Sequence, residues 1–188
     1  MFLRRSTVGR EPLAVTMSGV RMGERVLQIG VDDPAITGVL AAKTGITGQA
    51  SIVVADEAQA ARARSAAAEA AALADVHAAS FQSLPFGEDG FDAVIVHTVN
   101  GLLSSMPVDV RDAVLRDCRR VLRRGGRIIV LEAGTPTGLR GLFSATPKRR
   151  AEYEADGGTV SALRAAGFTA ARELGDRQGY RFIEGLKT

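Results

Sequence analysis

An α/β fold with a mostly parallel sheet and a C-terminal antiparallel hairpin is predicted by three features of this 188-residue chain. Short apolar runs alternate with helix-periodic segments across residues 25–133. The strand-like runs are apolar at successive positions, as strands covered on both faces must be. The C-terminal residues then break that rhythm with two strand-like runs about a tight turn.

The elements follow in order. Arg25-Val26-Leu27-Gln28-Ile29-Gly30 is an apolar run ended by glycine and reads as strand one. Pro34–Lys43 has helical spacing, with Pro34 suited to a first helical position and Gly45 as a stop. Residues 50–56 make the second strand. Residues 57–74, mostly alanine with dispersed Arg and Glu, make a helix by propensity. Strands three to five are expected at 76–81, 91–96 and 127–132, with a helix at 110–122 between the last two. Such alternation argues for a helix-covered parallel sheet joined by right-handed crossovers. A short helix at 159–166 ends at Gly167, and runs at 168–174 and Tyr180–Leu186 flank the turn Asp176-Arg177-Gln178-Gly179.

One domain over 1–188 is expected, since the length suits a single core. It divides into an arm (1–24), a core (25–133), a Gly/Thr/Pro-rich mobile loop over the active-site mouth (134–158), and a helix plus hairpin (159–188).

Composition excludes several functions. Lys and Arg exceed Asp and Glu by only three, which is no basic face built for nucleic acid. No apolar stretch approaches the roughly 20 residues of a membrane span, and Met1-Phe2-Leu3-Arg4-Arg5 lacks the apolar run of a signal peptide, so a cytoplasmic location is expected. Cys118 is the sole cysteine, so neither an intrachain disulfide nor a multi-cysteine metal cluster is available, and no metal is expected. It shares a helical face with Val110, Val114 and Val121 and reads as core. Arg4, Arg5 and Arg10 near Phe2 and Leu3, and Leu139, Leu142 and Phe143 before Lys148-Arg149-Arg150, leave open a peripheral membrane contact. A solvated arm and an ordinary packed loop are the alternatives.

Two motifs carry the functional reading. Leu84-Pro85-Phe86 precedes the strand Phe91-Asp92-Ala93-Val94, and Arg119-Arg120-Val121-Leu122 leads through Gly125-Gly126 into the fifth strand. Together they resemble the second half of a class I S-adenosylmethionine (SAM) dependent methyltransferase. The likeness is closest to the ubiquinone/menaquinone-biosynthesis type, with its LPF turn, FDxV strand and RVLxPGG turn. The resemblance implies a Rossmann-like class I methyltransferase fold whose hairpin closes the sheet edge, with SAM as cofactor. Gly125-Gly126 serves the turn, since no Lys-Ser/Thr follows as a phosphate-binding loop requires.

Site residues are expected at the C-terminal ends of the strands, where open parallel sheets hold ligands. Where the family has VLDxGxGxG, this chain reads Val26-Leu27-Gln28-Ile29-Gly30-Val31-Asp32-Asp33-Pro34 and keeps the first glycine. The resemblance assigns Gln28, Gly30 and Asp32 to the cofactor. Gln28 stands in the place of an acid and can hydrogen-bond without charge. Asp32 can attract the cationic groups of SAM and repel its carboxylate. The other reading of this loop is a capped helix start, with Asp32 or Asp33 as N-cap before Pro34.

Asp56 falls where the family binds the ribose hydroxyls, and a carboxylate suits two hydroxyl donors; it also suits the cap of the alanine-rich helix. Ser80 stands where an acid accepts from the adenine amino group, and Phe81 offers an apolar face to adenine or packs in the core. His97 lies where the transferred methyl would face. It is a candidate cofactor contact and general base, or else a structural hydrogen-bonding group. Asn100 orients a substrate oxygen or caps the turn into Gly101.

The expected function is methyl transfer to a small, lipophilic acceptor. The alternative is a methyltransferase fold that has lost catalysis and serves as a binding or regulatory module, on account of Gln28, Asp32, Pro34 and Ser80. A nicotinamide-dependent protein is disfavoured by the missing GxGxxG and by the hairpin tail.

Overall fold

The computed structural model describes residues 12–134 and 148–188. The short helix α1 (Leu13–Met17) leads into β1 (Arg25–Ile29), α2 (Pro34–Lys43), β2 (Gln49–Val54), α3 (Glu57–Glu69), β3 (Ala74–Ala78) and β4 (Phe91–Thr98). Then follow α4 (Leu102–Ser105), α5 (Val108–Val121), β5 (Leu122–Ala133), α6 (Lys148–Ala155), α7 (Gly158–Ala165), β6 (Thr169–Arg177) and β7 (Tyr180–Leu186). The strands form one sheet in the order β3-β2-β1-β4-β5-β7-β6. β1 to β5 are parallel, and β7 pairs antiparallel with both β5 and β6. β1 and β4 are neighbours although two strands separate them in sequence, so the chain changes direction across the sheet there, the kind of switch point beside which open parallel sheets hold their ligands.

Alternate residues of each strand feed opposite cores, as the period of two requires. Leu27, Ile29, Val94 and Val96 pack with Val114, Leu115, Cys118 and Leu163 on one face. Val26, Ala93, Ile95 and Ile129 pack with Val15, Ile36 and Leu40 on the other. Cys118 is fully buried, and burial pushes its thiol up to about 12.

The two sequence motifs meet through a clamp. Asp117 of α5 accepts from the Leu84 backbone N–H (2.7 Å) and from Arg120 Nε (2.6 Å), while Arg120 Nη1 donates to the Phe86 carbonyl (2.8 Å). Phe86 stands edge-on to Phe91, with ring centres 5.0 Å apart. Asp92 accepts from the Arg25 backbone N–H (2.7 Å) and from Arg123 Nε, joining the starts of β1, β4 and β5. These motif residues are scaffold.

Several element bounds differ from expectation. The alanine-rich helix ends at Glu69, not at 74, because Ala71 turns left-handed (φ 53°) and Ala72 N–H returns to the Ala67 carbonyl (2.8 Å). That closure satisfies the helix carbonyls and frees the chain for β3. Propensity alone cannot place it. The third strand consequently lies at Ala74–Ala78, so Ser80 and Phe81 fall in the turn beyond it. The alanines also have a packing role: a Cβ at Gly38 of α2 would sit 2.3 Å from the Ala66 carbonyl oxygen of α3, so the two helices touch through backbone.

The mobile loop expected over 134–158 is corrected at its C-terminal part, where Lys148–Ala155 is helix. Its glycines, threonines and prolines are concentrated upstream of Lys148, whereas Ala151, Glu152, Glu154 and Ala155 favour helix and Tyr153 docks at 4% exposure. Leu139, Leu142 and Phe143, like the arm residues Phe2, Leu3, Arg4, Arg5 and Arg10, lie outside the described residues. The hairpin turn is formed by Gln178 (φ 54°) and Gly179 (φ 80°) between the paired Arg177 and Tyr180. Two successive left-handed residues are the signature of the turn whose twist matches paired strands. No described helix is long and apolar enough to cross a membrane.

Candidate functional site

The candidate site residues begin in the loop after β1. Gly30 is left-handed (φ 83°), and a Cβ there would meet the His97 carbonyl oxygen at 3.1 Å. Glycine is therefore required twice over, by torsion and by the close approach of β4. Asp33 adopts an extended conformation and caps α2, its Oδ1 accepting from the N–H groups of Ala35 (3.0 Å) and Ile36 (3.3 Å), with Pro34 first in the helix. Its Oδ2 accepts from the Tyr180 hydroxyl at 3.3 Å.

With Asp33 as the cap, Asp32 turns outward. Its two oxygens accept from the backbone N–H (3.0 Å) and the side-chain amide (3.2 Å) of Asn100, binding the β1 loop to the β4 loop. Sequence reasoning treated these residues apart. Sixty-eight positions separate them, and no local pattern announces such a pair.

Gln28 and His97 form a second bridge underneath. Gln28 is wholly buried, its amide Nε2 donates to the Thr37 carbonyl (3.0 Å), and its Oε1 accepts from His97 Nε2 (2.9 Å). A carbonyl oxygen can only accept, so the His97 proton resides on Nε2. Burial lowers the His97 pKa to about 4, against the upward pull of Asp32 and Asp33. The ring is a neutral donor at physiological pH. His97 is thus in the last part of β4 and 2% exposed, bound to Gln28.

Asp56 caps α3, accepting from Gln59 N–H (2.8 Å) and Gln59 Nε2 (2.9 Å). The Gln59 backbone N–H is the main cause that holds its carboxyl below the usual range. The residue is exposed at the C-terminal end of β2, so its remaining lone pairs face solvent. Ser80 is also exposed and accepts from the Gln82 N–H (3.2 Å), while Phe81 is 9% exposed and belongs to the core.

Beside them opens a cleft of about 410 Å³ lined by Ala55, Ala79, Ser80 and Phe81 on one side and by Met106, Val110 and Val114 on the other. Its walls suit a flat, mostly apolar ring with a few polar edges. Met106, Val110 and Val114 were not foreseen, because only the crossover from β4 through α5 brings them over the end of β3. Gly30, Asp56 and Ser80 thus follow the C-terminal ends of the adjacent strands β1, β2 and β3, and the cleft lies at the ends of β2 and β3, where Ala55, the neighbour of Asp56, joins Ser80 and Phe81 in its lining. Among the described residues no cluster of His, Cys, Asp and Glu is arranged to hold a metal ion.

This geometry has relatives. Residues 27–130 match the family described as methyltransferase domain. The chain is 32% identical over 126 residues to the ubiquinone/menaquinone biosynthesis C-methyltransferase UbiE of Pseudomonas fluorescens, an overlap of 66% of this chain and 47% of that protein. The corresponding enzyme of Chromobacterium violaceum is 31% identical over 118 residues, 63% of this chain and 46% of that one. The chain thus spans about half the length of the curated relatives it matches. Among solved structures, a SAM dependent methyltransferase from Aquifex aeolicus superimposes with a TM-score of 0.70 at 15% identity, covering 94% of this chain and 88% of that one. The [4+2]-cyclase SpnF superimposes with a TM-score of 0.62 at 20% identity, covering 93% and 78%. These two likenesses concern the fold, and a shared fold is compatible with different chemistries. The family match itself runs from Leu27 in β1 to Val130 in β5, across Gly30, Asp56, both sequence motifs and the crevice they frame, and by it the chain belongs to the class I SAM-dependent methyltransferase family.

Proposed function

We propose that this chain transfers a methyl group from SAM to a small-molecule acceptor, in the cytoplasm. The observation that supports this reading is the cleft at the ends of β2 and β3, with Asp56 exposed beside Ala55 and an apolar slot behind Ser80, next to the glycine turn that ends β1. The residues present fit an adenosyl group. Asp56 accepts from ribose hydroxyls with the second lone pairs of its two oxygens, each of which already takes one hydrogen bond from Gln59; the slot takes the adenine ring, and Ser80 supplies an acceptor at its edge. The left-handed turn at Gly30 brings the β1 loop close against β4 beside the methionine portion, and the Asp32 carboxylate adds attraction for its cationic groups. When bound, SAM supplies an electrophilic methyl carried on a sulfonium.

The chain's own part is chiefly orientation. Holding a nucleophile and an electrophile at attack distance accelerates transfer without covalent help from the protein. His97 acts in this reading as a positioning residue: its Nε2 proton is committed to Gln28 and its basicity is lowered by burial, both unsuited to a general base. The Gln28–His97 and Asp32–Asn100 bridges keep the β1 and β4 loops in register around the reacting atoms. The alternative of a non-catalytic binding module has no specific observation in its favour.

Calorimetric titration with SAM and S-adenosylhomocysteine, after removal of copurified ligand, tests the proposal. Micromolar binding that weakens about tenfold or more in Asp56→Asn is expected, because asparagine keeps the helix cap but loses charge and one acceptor. Absence of binding by the folded wild-type chain would refute it.

A further inference from the structure

Beyond β4, on the side of the sheet away from Asp56, a second cleft of about 430 Å³ opens between the β4–α4 turn and α6. Asn100, Gly101 and Ser104 form one wall, and Lys148, Arg149 and Arg150 form the other. Val99 adds apolar surface to it.

The charge around this cleft is unbalanced. Arg149 Nη1 donates to the Ser105 carbonyl (3.0 Å), which draws α6 against the end of α4 without neutralising the guanidinium. Lys148 has Glu152 at 3.8 Å, but its side chain is 90% exposed and such a pair is weak. Arg150 is half-buried and makes no ion pair with the described residues. The two carboxylates that line an adjoining small cavity with Arg150, Glu132 and Glu154, are both hydrogen-bonded to Arg181 and make no ion pair with Arg150. Glu132 accepts from Arg181 Nε (3.0 Å) and from the Thr159 hydroxyl, and Glu154 accepts from Arg181 Nη2 (2.9 Å). The first turn of α6 carries no acid, so the positive end of its helix dipole adds to the field of the three cations.

We infer that this cleft binds an organic anion, and that the methyl acceptor is a small carboxylic acid whose carboxylate is held by Arg150 and Arg149 while its apolar body lies on Val99 and Gly101. The identification of the ligand as acceptor rests on the methyltransferase reading; the anion site itself rests on the cleft and its cations. The cleft is lined by Asn100, which the Asp32–Asn100 bridge ties to the loop after β1 that Gly30 opens. Planar carboxylates match the forked donors of arginine, and a charge-assisted bond is about twice as strong as a neutral one.

The test compares 4-hydroxybenzoate with 4-hydroxybenzamide, which have the same ring and differ in charge. Binding is followed at low ionic strength through the amide NMR signals of Asn100 and Gly101, with and without saturating S-adenosylhomocysteine. The acid is expected to bind at least about fivefold more tightly than the amide. Arg150→Gln is expected to weaken the acid about tenfold and leave the amide unchanged, and Lys148→Gln to have a smaller effect because it is exposed. Equal affinity for acid and amide, indifference to Arg150→Gln in a folded variant, or no binding of either would overturn the inference. So would displacement of the acid by S-adenosylhomocysteine, which would assign the cations to the cofactor's own carboxylate. Retained acid binding by a chain that takes up no adenosyl ligand would keep the anion site and sink the methyltransferase reading.

Discussion

At the N-terminal ends of β4 and β5, Asp92, Asp117 and Arg120 tie backbone segments together, whereas at the C-terminal ends of β1 and β4 one bridge joins side chains of the two strands, Gln28 to His97, and another joins the loops that follow them, Asp32 to Asn100. The first region holds the residues by which the family is recognised. The second holds the departures from the family pattern. A motif that survives as a motif does so here because it closes the scaffold: Asp117 and Arg120 satisfy the backbone of the LPF turn, and any change leaves an orphaned group. The β1 loop is closed locally by the Asp33 cap and by Gln28 on the Thr37 carbonyl, and Gln28 and Asp32 are tied in addition to partners about seventy positions away.

Changes in the two regions should therefore separate stability from ligand affinity. The largest effect is expected for Asp117→Ala, which leaves the Leu84 N–H and one side of Arg120 without their acceptor and should cost about 2–3 kcal/mol in urea unfolding. S-adenosylhomocysteine affinity of the folded variant should stay within about twofold, and a large loss would break the division between scaffold and site.

Next comes the pH dependence set by His97. Its folded-state pKa, about 4, lies below the ordinary 6.5, so between those values the unfolded chain binds a proton that the folded chain does not. Stability is then expected to fall by about 2 kcal/mol as the pH drops from about 7 to 4.5, and to recover on return. Thermal or urea melts of wild type and His97→Asn should show that slope in the first and its loss in the second. An unaltered slope would place the titration elsewhere.

Gln28→Glu should sharpen the same point, since a carboxylate at that position would accept from a protonated ring. The His97 pKa is expected to rise by at least about one unit, equivalent to about 1.4 kcal/mol, as read from histidine NMR signals over a pH series. The smallest effect is expected for Asp32→Asn. Asparagine can still accept from Asn100 but loses the charge, so the preference for SAM over the uncharged sulfur of S-adenosylhomocysteine should drop by about two- to fivefold in paired titrations. No change in that ratio would remove Asp32 from the electrostatics of the site.

Much of the fold was legible because it depends on local periodicity. The apolar runs located β1, β2 and β4 within two residues, and Pro34, with an aspartate ahead of it, marked the start of α2, whereas β5 begins at Leu122, five residues before the expected Arg127, and takes in the Gly125-Gly126 pair that reads as a turn in the sequence. What failed was stopping and starting where the signal is tertiary. Propensity carried the alanine-rich helix past Ala71, and composition dissolved Lys148–Ala155 into a loop. At the site, Gly30 and Asp56 could be placed from register alone, since both are consequences of a strand ending. The state of His97 could not.

The sequence by itself determined the alternation of strands and helices, the antiparallel hairpin at the end, the required glycine after β1 and the aspartate after β2, because each depends on neighbours within a turn or a strand. Only the tertiary structure decided that Gln28 holds His97 as a neutral donor, that Asp32 belongs to Asn100, and that Arg181 bonds both Glu132 and Glu154. Those three facts depend on burial and on partners brought together by the sheet order, and neither burial nor proximity is written in any short stretch of the chain.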